Sequence, residues 1–254
     1  MRIRHNKELI KLILAKAEEL CKTIKTKPPK TKRGRPPKYP DHIIIFALLL
    51  KVLENLSLRD LEERLKDFFP KPPDHVTLWY RIRQVESSDL MELIQKTAEK
   101  IMKKLEAKEF YCLIADGTGF GDANTYKLPW LRGKEIREVQ SHVKTEVLVG
   151  LVKGKTVVVG ANVGKAYSCE CKLLSPMLRE LKFRAKYFLG DAYYGKVEVL
   201  EMVKALNMCA IVPIKDTLHK KVRHPIRLWA KENYEEKKEI YKKNRFRVEQ
   251  VIGI

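Results

Sequence analysis

The chain has 254 residues, with Lys+Arg 52 against Asp+Glu 32 and a formal net charge of +20. At 44% hydrophobic it carries enough apolar material for a sizeable core, which excludes wholesale disorder. The longest apolar run, residues 43–50, is far short of the roughly twenty residues of a spanning helix, and the N-terminus shows no clean secretory signal, so the expectation is a cytoplasmic protein without membrane contact.

Residues 7–25 place apolar side chains at helical spacing: Leu9, Ile10, Ile13, Leu14, Ala17, Leu20, Cys21 and Ile24. Residues 25–40 then hold five prolines among Lys and Arg, which excludes a helix or a central strand and predicts an extended basic linker. A helical block follows. Asp41 is a candidate cap for a helix over 42–55, and Ser57 for one over 58–65 with Asp60 three residues on. Asp74 or His75 opens a helix to about residue 85, and Ser88 caps another to about residue 107. Three short helices with Arg81 and Arg83 on the third resemble a helix-turn-helix, against a plain helical bundle as the alternative.

From residue 110 the period changes. Residues 110–115 form an apolar run ending in Asp116-Gly117, a strand feeding a turn. Residues 142–152 and 156–163, separated by Gly154, read as a hairpin. Residues 170–181 read as a helix, 187–189 as a strand, 197–206 as a helix and 209–213 as a strand. Residues 215–233 are basic and irregular, and 234–251 read as one long charged helix. The order β, ββ, α, β, α, β, α predicts an α/β domain with a mixed sheet.

A net charge of +20 calls for a partner, and a polyphosphate backbone is the commonest reason for such an excess. Heat adaptation explains many charges of both signs but not the imbalance. Five scattered cysteines, an odd number, argue against a disulfide framework, and Cys169-Glu170-Cys171 is a poor zinc spacing. Trp79, Trp130 and Trp229 read as packing residues, and no His has metal-ligand spacing.

Two of the nine aspartates close apolar strands: Asp116, before Gly117-Thr118-Gly119, and Asp191, after Gly190. Carboxylates at strand ends beside Gly point into the crevice where ligands are commonly bound. An acidic centre in a chain built for polyanions needs a counter-charge, and divalent cations on oxygen ligands supply one. The alternative is that each Asp-Gly or Gly-Asp pair is an ordinary turn signal. A third ligand can come from the last helix, where Arg245 and Glu249 are four residues apart and share a face. Glu249 then reaches the metals while Arg245 grips a phosphate, unless the two are only a surface ion pair.

The order Asp116, Asp191, then Tyr241, Arg245 and Glu249 resembles the ribonuclease H-like DDE transposases of prokaryotic insertion sequences, in particular the group with a Tyr-x2-Arg-x3-Glu-x6-Lys signature. Gly34-Arg35-Pro36-Pro37-Lys38-Tyr39-Pro40 and Leu56-Ser57-Leu58-Arg59-Asp60-Leu61-Glu62 look like that group's N-terminal helical region. Two departures stand out. Tyr241 sits one residue too early, leaving Lys242 at its place, and position 256, where the signature Lys would fall, lies past Ile254. The latter raises a second expectation, of a C-terminally truncated and catalytically weak remnant.

The resemblance implies a ribonuclease H-like mixed sheet with flanking helices, preceded by an all-helical DNA-binding region. The expected divisions are 1–24, an N-terminal helix; 25–40, the linker; 41–107, the helical DNA-binding region; and 108–254, the catalytic domain. The implied activity is metal-dependent cleavage and transfer of DNA strands at element ends, with a structure-specific nuclease or a non-catalytic DNA-binding protein as alternatives. Asp116, Asp191 and Glu249 would hold two Mg²⁺ or Mn²⁺ ions, and Arg245, with Tyr241 or Lys242, would bind DNA phosphate. Arg33-Gly34-Arg35-Pro36 resembles an AT-hook core suited to a narrow minor groove, or is a non-specific basic linker. Arg33, Arg35, Lys38, Arg81 and Arg83 are thus the DNA-binding candidates outside the catalytic domain. The implied partner is double-stranded DNA, both inverted-repeat ends and target, bound by a homodimer.

The charge generates the first prediction. Binding to duplex DNA should tolerate sequence and weaken by orders of magnitude between about 50 and 200 mM salt. Gel-shift or fluorescence titrations measure this, and deleting residues 25–40 should lower the slope.

Overall fold

The computed structural model describes residues 7–21, 38–121, 127–132, 135–140, 142–214 and 222–253. Arg33, Arg35 and most of the basic linker lie outside the described residues. The chain divides into two compact units, Met1–Lys96 and Thr97–Ile254. No helix among the described residues is long and apolar enough to cross a membrane.

The N-terminal unit is helical: α1 (Lys7–Cys21), α2 (Asp41–Leu53), α3 (Leu58–Leu65), α4 (His75–Ile82) and the first half of α5 (Ser87–Lys104). Ile10, Ala17, Ile44, Phe46, Leu50, Leu61, Leu65 and Leu78 form its core, as the helical spacing of apolar residues requires. Phe68 and Phe69 stack edge-on against Phe46, with ring centroids 5.6 and 5.9 Å away. Ser57 Oγ accepts the Asp60 N–H at 3.2 Å, and Asp74 Oδ1 accepts the Thr77 N–H at 2.7 Å, so both expected caps are present. Asp41 is not a cap. Pro40 holds that place in extended conformation, and its carbonyl accepts the Ile43 N–H. Asp41 is left in the first turn, where its carboxylate takes a hydrogen bond from Arg81. Helix α5 likewise starts at Ser87, two residues earlier than a Ser88 cap requires, and the Asp89 carboxylate accepts the Glu86 N–H at 3.3 Å.

One buried ion pair staples this unit. Arg64 donates Nε and Nη2 to the two oxygens of Glu54, each at 2.9 Å, with side-chain exposures of 9% and 1%. The planar fork meets the carboxylate bidentately, which offsets the desolvation of both charges.

The C-terminal unit holds a five-stranded sheet of β1 (Phe110–Phe120), β4 (Val143–Val152), β5 (Lys155–Gly164), β6 (Ala185–Leu189) and β7 (Cys209–Ile211) in the order β5-β4-β1-β6-β7. Pairs β5–β4 and β4–β1 are antiparallel, while β1–β6 and β6–β7 are parallel. The five strands thus form a mixed sheet, as the order of elements in the sequence predicts. Lys153 and Gly154, both at positive φ, make the tight turn between β4 and β5. A separate two-stranded sheet, β2 (Lys127–Arg132) with β3 (Glu135–Gln140), is absent from the sequence reading. Pro129 and alternating charges hide its period.

Helices α6 (Glu170–Arg179) and α7 (Val197–Ala205), and α8 (Pro225–Glu236), α9 (Lys238–Asn244) and α10 (Arg247–Ile252), flank the sheet. Cys112, Ile114, Val147, Val149, Leu151, Leu189 and Ile211 pack against Val248 of α10, with Tyr234, Ile240 and Tyr241 at the margin. The expected long helix over 234–251 is thus three helices, and the first begins in the stretch read as irregular. Pro225 suits a first helical position, where its missing N–H has no partner to lose. The chain breaks at Lys237 and again after Asn244, whose buried amide donates to the Ile240 carbonyl at 2.8 Å and competes for the helix's own acceptor.

Arg64→Ala removes the guanidinium from a buried carboxylate. It should destabilise the N-terminal unit by about 3–5 kcal/mol in urea unfolding of the full chain. Arg59→Ala, at an exposed position, should change stability by less than about 0.5 kcal/mol.

Candidate active site

The parallel ladder between β1 and β6 ends at Ile114↔Leu189. Asp116 and Asp191 each lie two residues beyond that pair, so they leave adjacent strands, about 4.8 Å apart, at the same level. Sequence reading put Asp116 at the end of its strand. The strand instead runs on to Phe120, because β4 continues to pair with it through Phe120↔Val143. Asp116 is at an end only on the parallel side, and that side carries Asp191.

Asp191 caps a single 3₁₀ turn, Ala192–Tyr194, accepting the Tyr193 N–H at 2.8 Å. Asp116 is 18% exposed, and Arg245 Nη2 donates to its Oδ1 at 2.9 Å. Burial pushes the Asp116 carboxyl above the ordinary aspartate range, Arg245 pulls it back in part, and the negative charge of Asp191 adds to the rise. Arg245 is itself only 14% exposed. Its Nε and Nη1 are buried with no hydrogen-bond partner among the described residues. Two N–H groups of the fork therefore stand ready for an acceptor that a phosphate would provide.

Glu249 is placed differently. Its side chain is 54% exposed, and Oε1 lies 3.8 Å from Arg245 Nη1, too far for a hydrogen bond. The break in the helix at Arg245 and Phe246 separates the two residues that sequence reading put on one continuous helix. Among the described residues no three His, Cys, Asp or Glu side chains are gathered closely enough to hold a metal. The structure brings Asp116, Asp191 and Arg245 together and leaves Glu249 at the rim, beside the guanidinium. The donor set still fits a hard divalent cation. Both aspartates offer carboxylate oxygens, and Asp116 already draws a positive charge to itself.

Tyr241 is half-buried, with its ring edge-on to Tyr234 at 5.3 Å, and burial pushes its hydroxyl above the usual range. Lys242 is exposed and paired with Glu239 at 2.8 Å. In the N-terminal unit Arg81 is a strut, donating to the Tyr39 carbonyl at 3.1 Å and to Asp41. Lys38 lies over the Tyr39 ring and Arg83 over the Trp79 ring, with Lys38 and Arg83 both exposed. Trp79 is about half exposed (49%), so it is not the packing residue its type suggests.

Sequence reading missed Glu146 on β4. It is fully buried, pairs in register with Gly117, and accepts the Tyr194 hydroxyl at 2.7 Å. A lone acid inside an apolar strand is the signal that could have found it. Burial pushes its carboxyl up to about 8, with the Tyr194 hydrogen bond opposing.

The Transposase DDE domain family model matches residues 107–254. An uncharacterised protein of Aquifex aeolicus (strain VF5) is 63% identical over 255 residues, covering 100% of this chain and 79% of that protein. Among solved structures, the Drosophila P element transposase strand transfer complex is 16% identical, with a TM-score of 0.33, over 76% of this chain and 42% of that one. The Mos1 strand transfer complex is 16% identical, with a TM-score of 0.26, over 82% and 77%. Scores this low carry no structural argument.

The raised Glu146 carboxyl has a stability consequence. The folded chain keeps a proton that the unfolded chain releases above about 4.5, so stability should fall as pH rises from about 4.5 towards 8. The contribution is at most about 1.4 kcal/mol per pH unit, and the slope runs the same way for Asp116. Urea unfolding between pH 5 and 8 should show a flatter slope for Glu146→Gln than for the native chain.

Proposed function

This chain belongs to the DDE-domain transposase family, and from that premise we propose that it binds the ends of a prokaryotic insertion sequence and cuts and transfers DNA strands there. The observation that carries the reading is the Asp116–Asp191 pair, level just past the parallel β1–β6 ladder, with Arg245 against Asp116 and two of its donors without a hydrogen-bond partner among the described residues.

Asp116, Asp191 and Glu249 would hold two Mg²⁺ or Mn²⁺ ions, which supply the charge that activates an attacking hydroxyl and stabilises the leaving oxygen. Arg245 has two roles in this reading. Before DNA arrives it neutralises Asp116, and with DNA present its free Nε and Nη1 take a phosphate oxygen each. Glu249, exposed and next to the same guanidinium, completes the acidic set when Arg245 turns towards phosphate. Burial and the neighbouring charge of Asp191 hold the Asp116 carboxyl above its ordinary range, and a bound cation would offset both effects.

Affinity for DNA comes from elsewhere as well. The +20 charge supports duplex binding, with Lys38, Arg83 and the linker's Arg33 and Arg35 as contacts. Exposed Lys242, or Tyr241, which interacts with Arg245, would add a contact to DNA phosphate. A homodimer on DNA, acting in the cytoplasm, is part of this proposal. A DNA-binding protein without catalysis is the second reading, favoured by the exposed position of Glu249.

The test is nicking of DNA carrying the element's inverted repeat in the presence of Mg²⁺ or Mn²⁺. Asp116→Ala and Asp191→Ala should each lower nicking by about a hundredfold or more while leaving DNA binding intact. Arg245→Lys should lower it by about tenfold or more, since an ammonium cannot make the same forked contact. DNA binding without nicking by the native chain would select the second reading.

A further inference from the structure

Asp191 sits on a turn, and a turn is a poor platform for a ligand that must be held to a fraction of an ångström. Something has to fix it. Tyr194 ends that turn, and its side chain is fully buried. Its N–H donates to the Asp191 carbonyl at 3.2 Å, and its ring lies against Gly190, where a Cβ would come within 2.7 Å of the ring. Phe188 meets the same ring edge-on, with centroids 6.4 Å apart. Tyr194 is therefore packed against the residues just before Asp191 and bonded to the Asp191 carbonyl.

The hydroxyl of Tyr194 reaches across to Glu146 Oε1 at 2.7 Å. Glu146 is on β4, opposite Gly117, the residue after Asp116. One hydrogen bond thus joins the flank of one aspartate to the flank of the other, from behind the sheet. Gly117 makes room for the Glu170 carboxylate, which occupies the space that a Cβ there would need. Glu170 is in turn held by Lys144, two residues before Glu146.

This arrangement is costly. Glu146 Oε2 is buried with no hydrogen-bond partner among the described residues. A buried polar atom left unsatisfied destabilises the fold, and an apolar side chain of similar size would avoid the loss. What an apolar side chain cannot do is accept the Tyr194 hydroxyl.

We propose that Tyr194 is a positioning residue for Asp191, and that Glu146 is the buried acceptor that locks it there. The inference deepens the proposed function, on which its meaning for catalysis rests. Neither residue touches DNA or metal. Each acts by keeping the Ala192–Tyr194 turn in one place relative to β1.

The test uses the full-length chain and three variants. Tyr194→Phe keeps the ring and removes the donor. Glu146→Gln keeps an oxygen acceptor, and Glu146→Leu removes it. Three measurements are made on each: amide hydrogen exchange at Tyr193, Tyr194 and Gly195; Mn²⁺ binding by electron paramagnetic resonance; and nicking. Tyr194→Phe and Glu146→Leu should each speed exchange at those amides by about tenfold and weaken Mn²⁺ binding by about tenfold. Nicking should fall by about ten- to a hundredfold, as small misplacements of reacting groups do. Glu146→Gln should stay within about twofold of the native chain in all three.

Unchanged exchange and Mn²⁺ affinity in Tyr194→Phe would overturn the inference. So would an equal loss in Glu146→Gln and Tyr194→Phe, which would mean that the carboxyl matters for something other than accepting this bond. Should Glu146→Leu fail to fold, Tyr194→Phe against Glu146→Gln still decides. If the native chain neither binds Mn²⁺ nor nicks DNA, the proposed function falls, and exchange at the turn then tells separately whether the tether exists.

Discussion

Ile114 pairs with Leu189 across two parallel strands, so the carboxylates two residues further along emerge side by side from the edge of the pairing. That register creates an electrostatic problem. Asp116 is mostly buried and feels the charge of Asp191, and both effects favour its neutral form. Arg245 answers the problem for the isolated chain by placing its guanidinium on Asp116. The answer is incomplete, since one corner of the fork is engaged while Nε and Nη1 are buried with no hydrogen-bond partner among the described residues. The same geometry would suit a cation between the carboxylates and an anion at the guanidinium, the two charges that the proposed metal-bound phosphodiester would bring.

The N-terminal unit uses charge differently. Glu54 and Arg64 form a closed pair inside a helical core, with the Phe68 ring 5.3 Å from the guanidinium. Arg81 is tied down in the same manner, to Asp41 and the Tyr39 carbonyl. An arginine count therefore overstates what this unit offers to DNA. Arg83 and Lys38 keep their charges at the surface, and the flat ring beneath each one restrains it without neutralising it.

Caps and strands were readable because their causes are local. Ser57 and Asp74 cap because a short acceptor side chain three residues from an N–H closes that bond regardless of what surrounds it. The hairpin of β4 and β5 follows from two apolar runs around Lys153-Gly154. Asp41 misled because Pro40, next to it, satisfies the same helix end through its backbone. The last helix misled because its period is continuous in sequence, while its breaks come from Lys237 and from the buried amide of Asn244.

By itself the sequence determined most of the elements, the mixed α/β class, the excess of positive charge and the choice of Asp116 and Asp191 as candidate ligands. These depend on periodicity, on composition and on bonds between near neighbours, all of which a linear string contains. Only the tertiary structure decided that the two aspartates share one level, that Arg245 lies on Asp116 with Glu249 left at the rim, and that Glu146 and Tyr194 meet behind the sheet. Those contacts join residues 48 to 129 positions apart. Their energies depend on burial and on which donors have no other partner, and neither quantity exists until the strands have paired and the helices have packed.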